Sequence, residues 1–310
     1  MPKVNTISML KKAQRGGYAV GHFNTSNLEI TQAIREAAQE LRAPVIVGCS
    51  KSAVEYAGLP LLVDMVNKCL NRPGIKSSKS PYAIHLDHGP DVALAKQCID
   101  AGFSSVMIDS SALPFAKNVA VTKQVVAYAH KRGVSVEAEI GILKGIEDYV
   151  KQNTEYLTPP SQAREFVRLT KVDSLAIAIG TSHGAFKFSG EAHLDLKRLE
   201  EIRGQVTIPL VLHGASSVYP DLIEGIDRFG GAIKEAHGVP DSIIKKCIKR
   251  GICKINTDTD LRLAFDLGIR EFLIENPGVF DYRKILQAAK EQVKDVVKKK
   301  IGVFGSENKA

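Results

Sequence analysis

The chain of 310 residues is 44% hydrophobic and 25% charged, an ordinary composition for a soluble globular protein large enough to form one barrel-sized domain. No apolar run approaches the roughly 18 residues of a membrane-spanning helix, and the N-terminus lacks a signal peptide's apolar core and cleavage site. We therefore expect a cytoplasmic protein without a membrane partner. The net charge of +8 is spread along the chain, and the one dense lysine run, 294–300, alternates with valine and aspartate as on a solvated helix face, which argues against a nucleic-acid partner.

Eight short apolar runs alternate with helical patterns along the chain. The runs are 17–23, 44–49, 82–87, 104–109, 134–139, 174–180, 208–213 and 251–256. Their near-continuous Val, Ile, Ala and Leu content is typical of parallel strands buried on both faces. Eight strand–helix alternations predict a single α/β domain over residues 1–310, folded as a (β/α)8 TIM barrel. A doubly wound open sheet is the alternative, disfavoured because no Gly-x-Gly-x-x-Gly follows the first strand.

Several helix starts can be predicted between these strands. Ser26 and Glu29 have the spacing of a capping box, and apolar residues follow at helical intervals. Thr158 before a proline is a candidate N-cap. Further helices are predicted from 113–114 to about 132 and from 240–241 onward.

Three strand-to-helix connections, 140–157, 181–193 and 214–239, are predicted to be long loops. Long loops in a compact domain are often functional. All three follow the carboxyl ends of strands, the face that carries the active site in this fold.

Three histidines, His88, His183 and His213, each close an apolar run and each precede a glycine. Because the strand ends of a barrel converge on one face, three neutral imidazoles there predict an open catalytic zinc site with one position left for substrate. His22 and His85 lie on strands 1 and 3 and are candidates for supporting roles.

Carboxylates accompany the histidines. Asp87 directly precedes His88 and could exchange a proton with a substrate hydroxyl or hold a ligand histidine by a hydrogen bond. Asp109, Glu137 and Glu139 end strands 4 and 5, where buried acids need a partner, so they could form an alternative metal position or support the ligands. Glu147 lies in a glycine-containing loop, and its position alone favours a solvated residue.

Segments suited to phosphate binding follow the later strands. Residues 184–187 and 214–217 offer backbone N–H groups, hydroxyls and a lysine, and 256–260 follow strand 8 and open a helix. Loops after strands 7 and 8 with a helix N-terminus are the usual phosphate cradle of this fold.

Taken together, these motifs resemble those of the class II (zinc-dependent) fructose-bisphosphate aldolases. The matching segments are His-Leu-Asp-His-Gly at 85–89, Val-Glu-Ala-Glu-Ile-Gly at 136–141, Ile-Gly-Thr-Ser-His-Gly-Ala-Phe-Lys at 179–187, Leu-His-Gly-Ala-Ser-Ser at 212–217 and Asn-Thr-Asp-Thr-Asp at 256–260. The resemblance implies an aldehyde-lyase of glycolysis and gluconeogenesis. It would cleave fructose 1,6-bisphosphate reversibly to dihydroxyacetone phosphate and glyceraldehyde 3-phosphate.

The resemblance also implies roles for individual residues. His88, His183 and His213 would bind Zn²⁺, with Asp109 and Glu139 at an alternative zinc position. Asp87 would exchange a proton with the C4 hydroxyl, and Glu147 would take a proton from dihydroxyacetone phosphate. The substrate contacts would be Asn24, Ser50, Gly184, Lys187, Gly214, Ala215, Ser216, Asn256, Thr257, Asp258, Thr259, Arg262 and Arg283. Members also bind Na⁺ or K⁺ near the phosphate and form homodimers or homotetramers, in which Arg283 could act across the interface.

Three alternative functions are weighed against this one. Related tagatose-bisphosphate aldolases usually carry alanine at position 258, so Asp258 favours the fructose substrate. A zinc hydrolase on the same barrel typically has a His-x-His pair on strand 1, whereas residues 21–24 hold one histidine. A purely non-catalytic role is disfavoured by the complete set of acid, base and metal residues.

Overall fold

The computed structural model describes residues 1–71, 79–147, 150–152, 155–183, 194–233 and 236–310, with backbone only for 144, 146, 147, 150–152 and 183. Within these ranges the strands are β1 (Val20–Asn24), β2 (Val45–Ser50), β3 (Tyr82–Gly89), β4 (Ser105–Ile108), β5 (Ser135–Ile140), β6 (Lys144–Glu147), β7 (Val150–Gln152), β8 (Ser174–Ile177), β9 (Ser182–His183), β10 (Leu210–Leu212) and β11 (Ile252–Thr257). All of them except β6, β7 and β9 form a closed barrel, in chain order and parallel, with β11 pairing back onto β1. The predicted (β/α)8 barrel is confirmed.

Helices cover the outside of the barrel. Their bounds are α1 (Thr6–Gly16), α2 (Leu28–Glu40), α3 (Lys51–Ala57), α4 (Leu59–Leu70), α5 (Val92–Asp100), α6 (Phe115–His130), α7 (Pro160–Thr170), α8 (Leu196–Gln205), α9 (Pro220–Arg228), α10 (Asp241–Lys249), α11 (Thr259–Glu275) and α12 (Tyr282–Phe304). The helices predicted to start near 114 and 241 are confirmed as α6 and α10. Among the helices of the described ranges, none is long and apolar enough to span a bilayer.

Two predicted helix caps are wrong. The cap of α2 is Asn27 rather than Ser26, because the Asn27 side chain, on an extended backbone, accepts the N–H of Ile30 at 3.0 Å. Thr158 does not cap α7, which begins at Pro160. Its hydroxyl instead donates to the carbonyl of Ile140 and accepts the N–H of Ala178, so it joins the ends of β5 and β8.

Alternation along the barrel strands directs one set of side chains into the apolar layer under the helices and the other set into the barrel interior. On β3, Ile84 and Leu86 belong to the apolar layer between strands and helices, whereas His85 and Asp87 alternate with them and face the interior. At the N-terminal end of the barrel, Met9 of α1 packs with Val20 and neighbouring strand residues. Apolar packing therefore closes that end, and the polar interior opens only toward the carboxyl ends of the strands.

The connections predicted as long loops contain structure of their own. Residues 214–239 include α9, which starts with a proline at its first position and buries Leu222 and Ile226. Residues 140–157 include the antiparallel pair β6–β7, and β6 also pairs in parallel with β9. The chain after β5 thus runs beside the chain after β8, on the face that carries the histidines.

Candidate active site

The end of β3 presents two consecutive side chains to the same pocket. Asp87 and His88 would point to opposite faces of a regular strand. The pairing of β3 with β4 shifts register between Leu86 and Gly89, and His88 has a φ of 45°, in the left-handed region. This irregularity turns the chain so that both the carboxylate and the imidazole reach the site, a common use of bulges beside active sites.

His88 and His213 face each other across the barrel mouth. Nε2 of His88 lies 2.8 Å from Nδ1 of His213, and the two rings meet edge to face. Together with Asp87 they offer three ligand atoms within 4.8 Å of one another. Two imidazoles and a carboxylate at this spacing form a donor set of the kind that zinc prefers.

A second group of donors shares His88. The ring Nδ1 lies 2.8 Å from Oδ2 of Asp109, and Glu139 joins them within 4.8 Å. Burial opposes a charge on His88, but its hydrogen bond with Asp109 and the surrounding carboxylates raise its pKa to about 10. Burial, followed by the charge of Asp109, raises the pKa of Glu139 well above its usual range. His88, Asp109 and Glu139 therefore form a second group of donors that could hold a cation.

His213 is held from behind by a buried ion pair. Its Nε2 lies 2.8 Å from Oε1 of Glu137, which also accepts a hydrogen bond from Nζ of Lys254 at 2.9 Å. The side chains of Glu137 and Lys254 are 1% and 0% exposed. Because the carboxylate accepts the proton on Nε2, the lone pair of Nδ1 is directed toward His88.

Asp87 is fixed by two amides. Asn24 of β1 donates to its Oδ2 at 2.8 Å, and Asn256 of β11 donates to its Oδ1 at 2.9 Å. Donors to both oxygens favour the charged carboxylate and fix its orientation beside the two histidines. The arrangement leaves Asp87 suited to proton exchange at a group bound near His88.

Comparison with known proteins agrees with this chemistry. The family model for class II fructose-bisphosphate aldolase matches residues 4–309. The chain belongs to the class II fructose-bisphosphate aldolase family. It is 48% identical to the fructose-bisphosphate aldolase of Thermus caldophilus over 309 residues, covering 99% of each chain. It is 46% identical to that of Giardia intestinalis over 308 residues, covering 99% of this chain and 94% of the relative.

Solved structures show the same relationship. The YdjI aldolase of Escherichia coli K12 superposes with a TM-score of 0.81 at 30% identity, covering 99% of both chains. The resemblance inferred from the motifs is thus confirmed, and with it an aldehyde-lyase of the metal-dependent class II aldolase type.

Some of the residues expected to bind phosphate in the family belong to the described part of the chain. Gly214, Ala215 and Ser216 follow β10, and 256–259 lead from β11 into the first turn of α11. Gly214 has a φ of 61°, and a Cβ there would lie 2.7 Å from the carbonyl oxygen of Ser182, so a larger residue would push the two loops apart. This contact brings β9 against the residue that follows His213.

A pocket of about 260 Å³ lies at the carboxyl ends of β1 and β2, beside the start of α11. Four of the predicted substrate residues, Asn24, Ser50, Asp258 and Arg262, line it. Asp258 and Arg262 form an ion pair at 2.7 Å. The structure therefore gathers the predicted second-phosphate contacts into one cavity, apart from Arg283.

Other predicted residues are not fully described. His183 ends β9 and Glu147 ends β6, but only their backbones belong to the described part of the chain. Gly145 pairs with His183, so Glu147 lies two residues farther along the neighbouring strand. Gly184 and Lys187 lie outside the described residues. Arg283 stands at the start of α12, 76% exposed and paired with Asp281.

Lys254 was not predicted as a site residue, although a lysine inside the apolar run 251–256 is a visible signal. The roles of the supporting histidines were also left undefined. His85 bonds through Nδ1 to the hydroxyl of Ser105 at 2.7 Å, and His22 packs edge to face against it. Burial, followed by the charge of Lys254, lowers the pKa of both histidines well below the usual value, so they are neutral.

Proposed function

We propose that this aldolase cleaves fructose 1,6-bisphosphate reversibly with a Zn²⁺ ion held by His88, His183 and His213. The observation that carries the proposal is the meeting of Nε2 of His88 and Nδ1 of His213 next to Asp87. The imidazoles of His88 and His213 are each hydrogen-bonded to a carboxylate, which is the usual support of a histidine ligand. The bound zinc supplies a Lewis acid for the C2 carbonyl oxygen of the substrate.

The donor set fits zinc in a second respect. Oε2 of Glu139 is buried and has no hydrogen-bond partner among the described residues. A buried carboxyl oxygen without a partner is costly, and an adjacent cation removes that cost. Asp109 and Glu139 therefore serve as an alternative zinc position, with His88 common to both.

Proton transfer is assigned to two carboxylates. Asp87, oriented by Asn24 and Asn256, takes the proton of the C4 hydroxyl during cleavage and returns it in condensation. Glu147, on the strand that pairs with β9, exchanges a proton with dihydroxyacetone phosphate. The β6–β7 segment that bears Glu147 excludes water when the substrate is bound.

Substrate contacts divide between two phosphates. Gly184, Lys187, Gly214, Ala215, Ser216, Asn256, Thr257 and Thr259 bind the phosphate of the ketone half, and Na⁺ or K⁺ is held near it by backbone carbonyls. Ser50 and Arg262 bind the second phosphate in the pocket of about 260 Å³. Asp258, in the same pocket, accepts a hydrogen bond from the C4 hydroxyl in the fructose configuration. These two grips position the bond to be cleaved.

The proposal includes a homodimer or homotetramer in which Arg283 reaches a neighbouring site. Arg262 lies in the first turn of α11. The helix ends at Glu275, 13 positions farther along the chain, which corresponds to a distance of about 20 Å. Arg283 follows the connection from that far end. Beside it Ile274, Phe280 and Tyr282 are exposed by 63%, 93% and 68%, an apolar surface that a second copy would cover.

A histidine substitution tests the metal assignment. In the His88→Ala variant we expect loss of both bound zinc and cleavage, with kcat/KM reduced by about 10³-fold or more. The control is His130→Ala, because His130 is 40% exposed and pairs with Asp173 on the outside of the barrel. Cleavage by metal-free His88→Ala protein at the normal rate would overturn the proposal.

A cytoplasmic location stays a prediction from the sequence.

A further inference from the structure

The loop that follows His213 is held in a strained conformation. Val218 has a φ of 47°, in the left-handed region, and its side chain is 3% exposed. A β-branched residue strongly disfavours this region, because its Cβ substituents crowd the backbone. Such strain persists only where the surrounding contacts determine the conformation, and it often accompanies a functional loop.

A buried carboxylate supplies those contacts. Asp260, in the first turn of α11, accepts the N–H of Ser217 at 2.9 Å and the N–H of Val218 at 2.6 Å. The same carboxylate pairs with Nζ of Lys300, from α12, at 2.8 Å, and both side chains are 0% exposed. Lys300 also donates to the hydroxyl of Ser217 at 2.7 Å.

Burying an ion pair of this kind is a poor source of stability, because desolvation of both charges offsets their attraction. The pair instead fixes the orientation of the Asp260 carboxylate. The remaining acceptor positions of Asp260 are used by two successive N–H groups of one loop, which fixes the backbone on either side of the strained residue. Gly214, Ala215 and Ser216 lie immediately before this fixed point.

We infer that Asp260 and Lys300 are positioning residues that hold the loop 214–219 in the conformation with which it binds the substrate phosphate. This inference rests on the proposed role of Gly214, Ala215 and Ser216 in phosphate binding. It assigns a further function to α12, the C-terminal helix, whose first turn carries Arg283. Neither residue touches the substrate, so their effect falls on binding.

The test is a double-mutant cycle with a glycine rescue. Asp260→Asn removes the charge that holds both N–H groups, and we expect KM for fructose 1,6-bisphosphate to rise about 10-fold or more with a smaller change in kcat. Glycine adopts a positive φ without strain. Val218→Gly in the Asp260→Asn background should therefore recover much of the lost KM, although it adds no contact.

Two further variants make the test decisive. Lys300→Met should raise KM in the same direction, and it serves as the primary variant if Asp260→Asn does not fold. Lys298→Met, at a 37% exposed lysine of α12 that pairs with Glu40 of α2, is the matched control and should leave KM unchanged. An unchanged KM in folded Asp260→Asn or Lys300→Met protein, or a KM that Val218→Gly does not recover, would overturn the inference.

Failure of the underlying proposal looks different. Ser216→Ala should raise KM by itself if the loop binds phosphate. Wild-type protein that does not cleave the bisphosphate, or a Ser216→Ala variant with normal KM, would remove the proposed function of the loop. Cleavage by wild type with a raised KM in Ser216→Ala, but none in the Asp260 and Lys300 variants, would refute only their positioning role.

Discussion

Two of the proposed zinc ligands face the site with opposite ring nitrogens, and a carboxylate behind each ring determines which one. Asp109 bonds Nδ1 of His88 and leaves Nε2 toward the site, whereas Glu137 bonds Nε2 of His213 and leaves Nδ1. Both histidines could be located from the sequence, since each closes an apolar run before a glycine. The ring nitrogen that each histidine turns to the site could not be predicted, because it depends on residues that only the closed barrel brings close.

We therefore expect Glu137 to control the affinity of His213 for zinc. In Glu137→Gln, the amide oxygen can still accept from His213 and Lys254 but carries no negative charge to support the imidazole, and we expect the dissociation constant for zinc to rise about 10- to 100-fold. Competition with a chromophoric chelator measures it. Glu165→Gln on the outer surface of α7 is the control and should leave the affinity unchanged. Equal zinc affinity in wild type and Glu137→Gln would show that the buried carboxylate does not tune the ligand.

Asp87 should act on the reaction and not on the metal. Replacing it by asparagine keeps the shape of the residue but removes the proton acceptor, so kcat should fall by about 10²- to 10⁴-fold. Metal analysis of the same sample should still give a normal zinc content. Loss of zinc in parallel with activity would assign Asp87 to the ligands, with which it shares a cluster.

At the scale of elements, the eight strands were predictable because buried parallel strands have a continuous apolar pattern. The helix caps were less predictable. Ser26 and Asn27 are both good N-cap residues for α2, and the backbone around them decides that Asn27 is used. The helix α9 was missed because glycine and charged residues surround the two apolar residues that pack inward, Leu222 and Ile226. The β6–β7 pair was missed because its pairing partner β9 is distant in sequence.

Helices α2 and α12 are joined by a row of ion pairs on the outer surface. Glu40 lies 2.9 Å from both Lys294 and Lys298, and these lysines lower its pKa. A lowered pKa stabilises the fold at pH above the unfolded value near 4.3, and that contribution is lost as the pH falls through the folded value. Because these side chains are partly exposed, the contribution is about 1 kcal/mol or less.

Glu40→Gln should accordingly lower the free energy of unfolding slightly at pH 7, as measured by urea denaturation. The difference from wild type should shrink as the pH falls below about 4, and at pH 7 it should also shrink in about 0.5 M sodium chloride. Glu201→Gln on the exposed face of α8 is the matched control. A difference that persists at low pH would assign the effect to packing rather than to charge.

At the scale of the whole molecule, the position of Arg283 is the reason for proposing an active site shared between subunits. Its side chain lies at the opposite end of α11 from the pocket that it is predicted to serve. The sequence could place Arg283 by motif, but only the structure shows that the length of α11 lies between Arg262 and the connection that leads to Arg283. A single domain over the full chain stays a prediction of the same analysis.

Mixing two weakly active variants tests the shared site. In a mixed dimer of Arg283→Ala and Arg262→Ala subunits, one site has both arginines and the other has neither. Random exchange should therefore recover about a quarter of wild-type activity, since half of the dimers are mixed and each has one intact site. Each variant alone stays weakly active. No recovery after confirmed subunit exchange would place Arg283 outside the neighbouring site.

The most direct test of the central claim is parallel cleavage of fructose 1,6-bisphosphate and tagatose 1,6-bisphosphate, each with and without a chelator, with the zinc content measured. We predict chelator-sensitive cleavage with fructose 1,6-bisphosphate preferred, and restoration of activity by added zinc. A preference for tagatose 1,6-bisphosphate would overturn the role of Asp258. Undiminished cleavage by protein from which the metal has been removed would contradict the account.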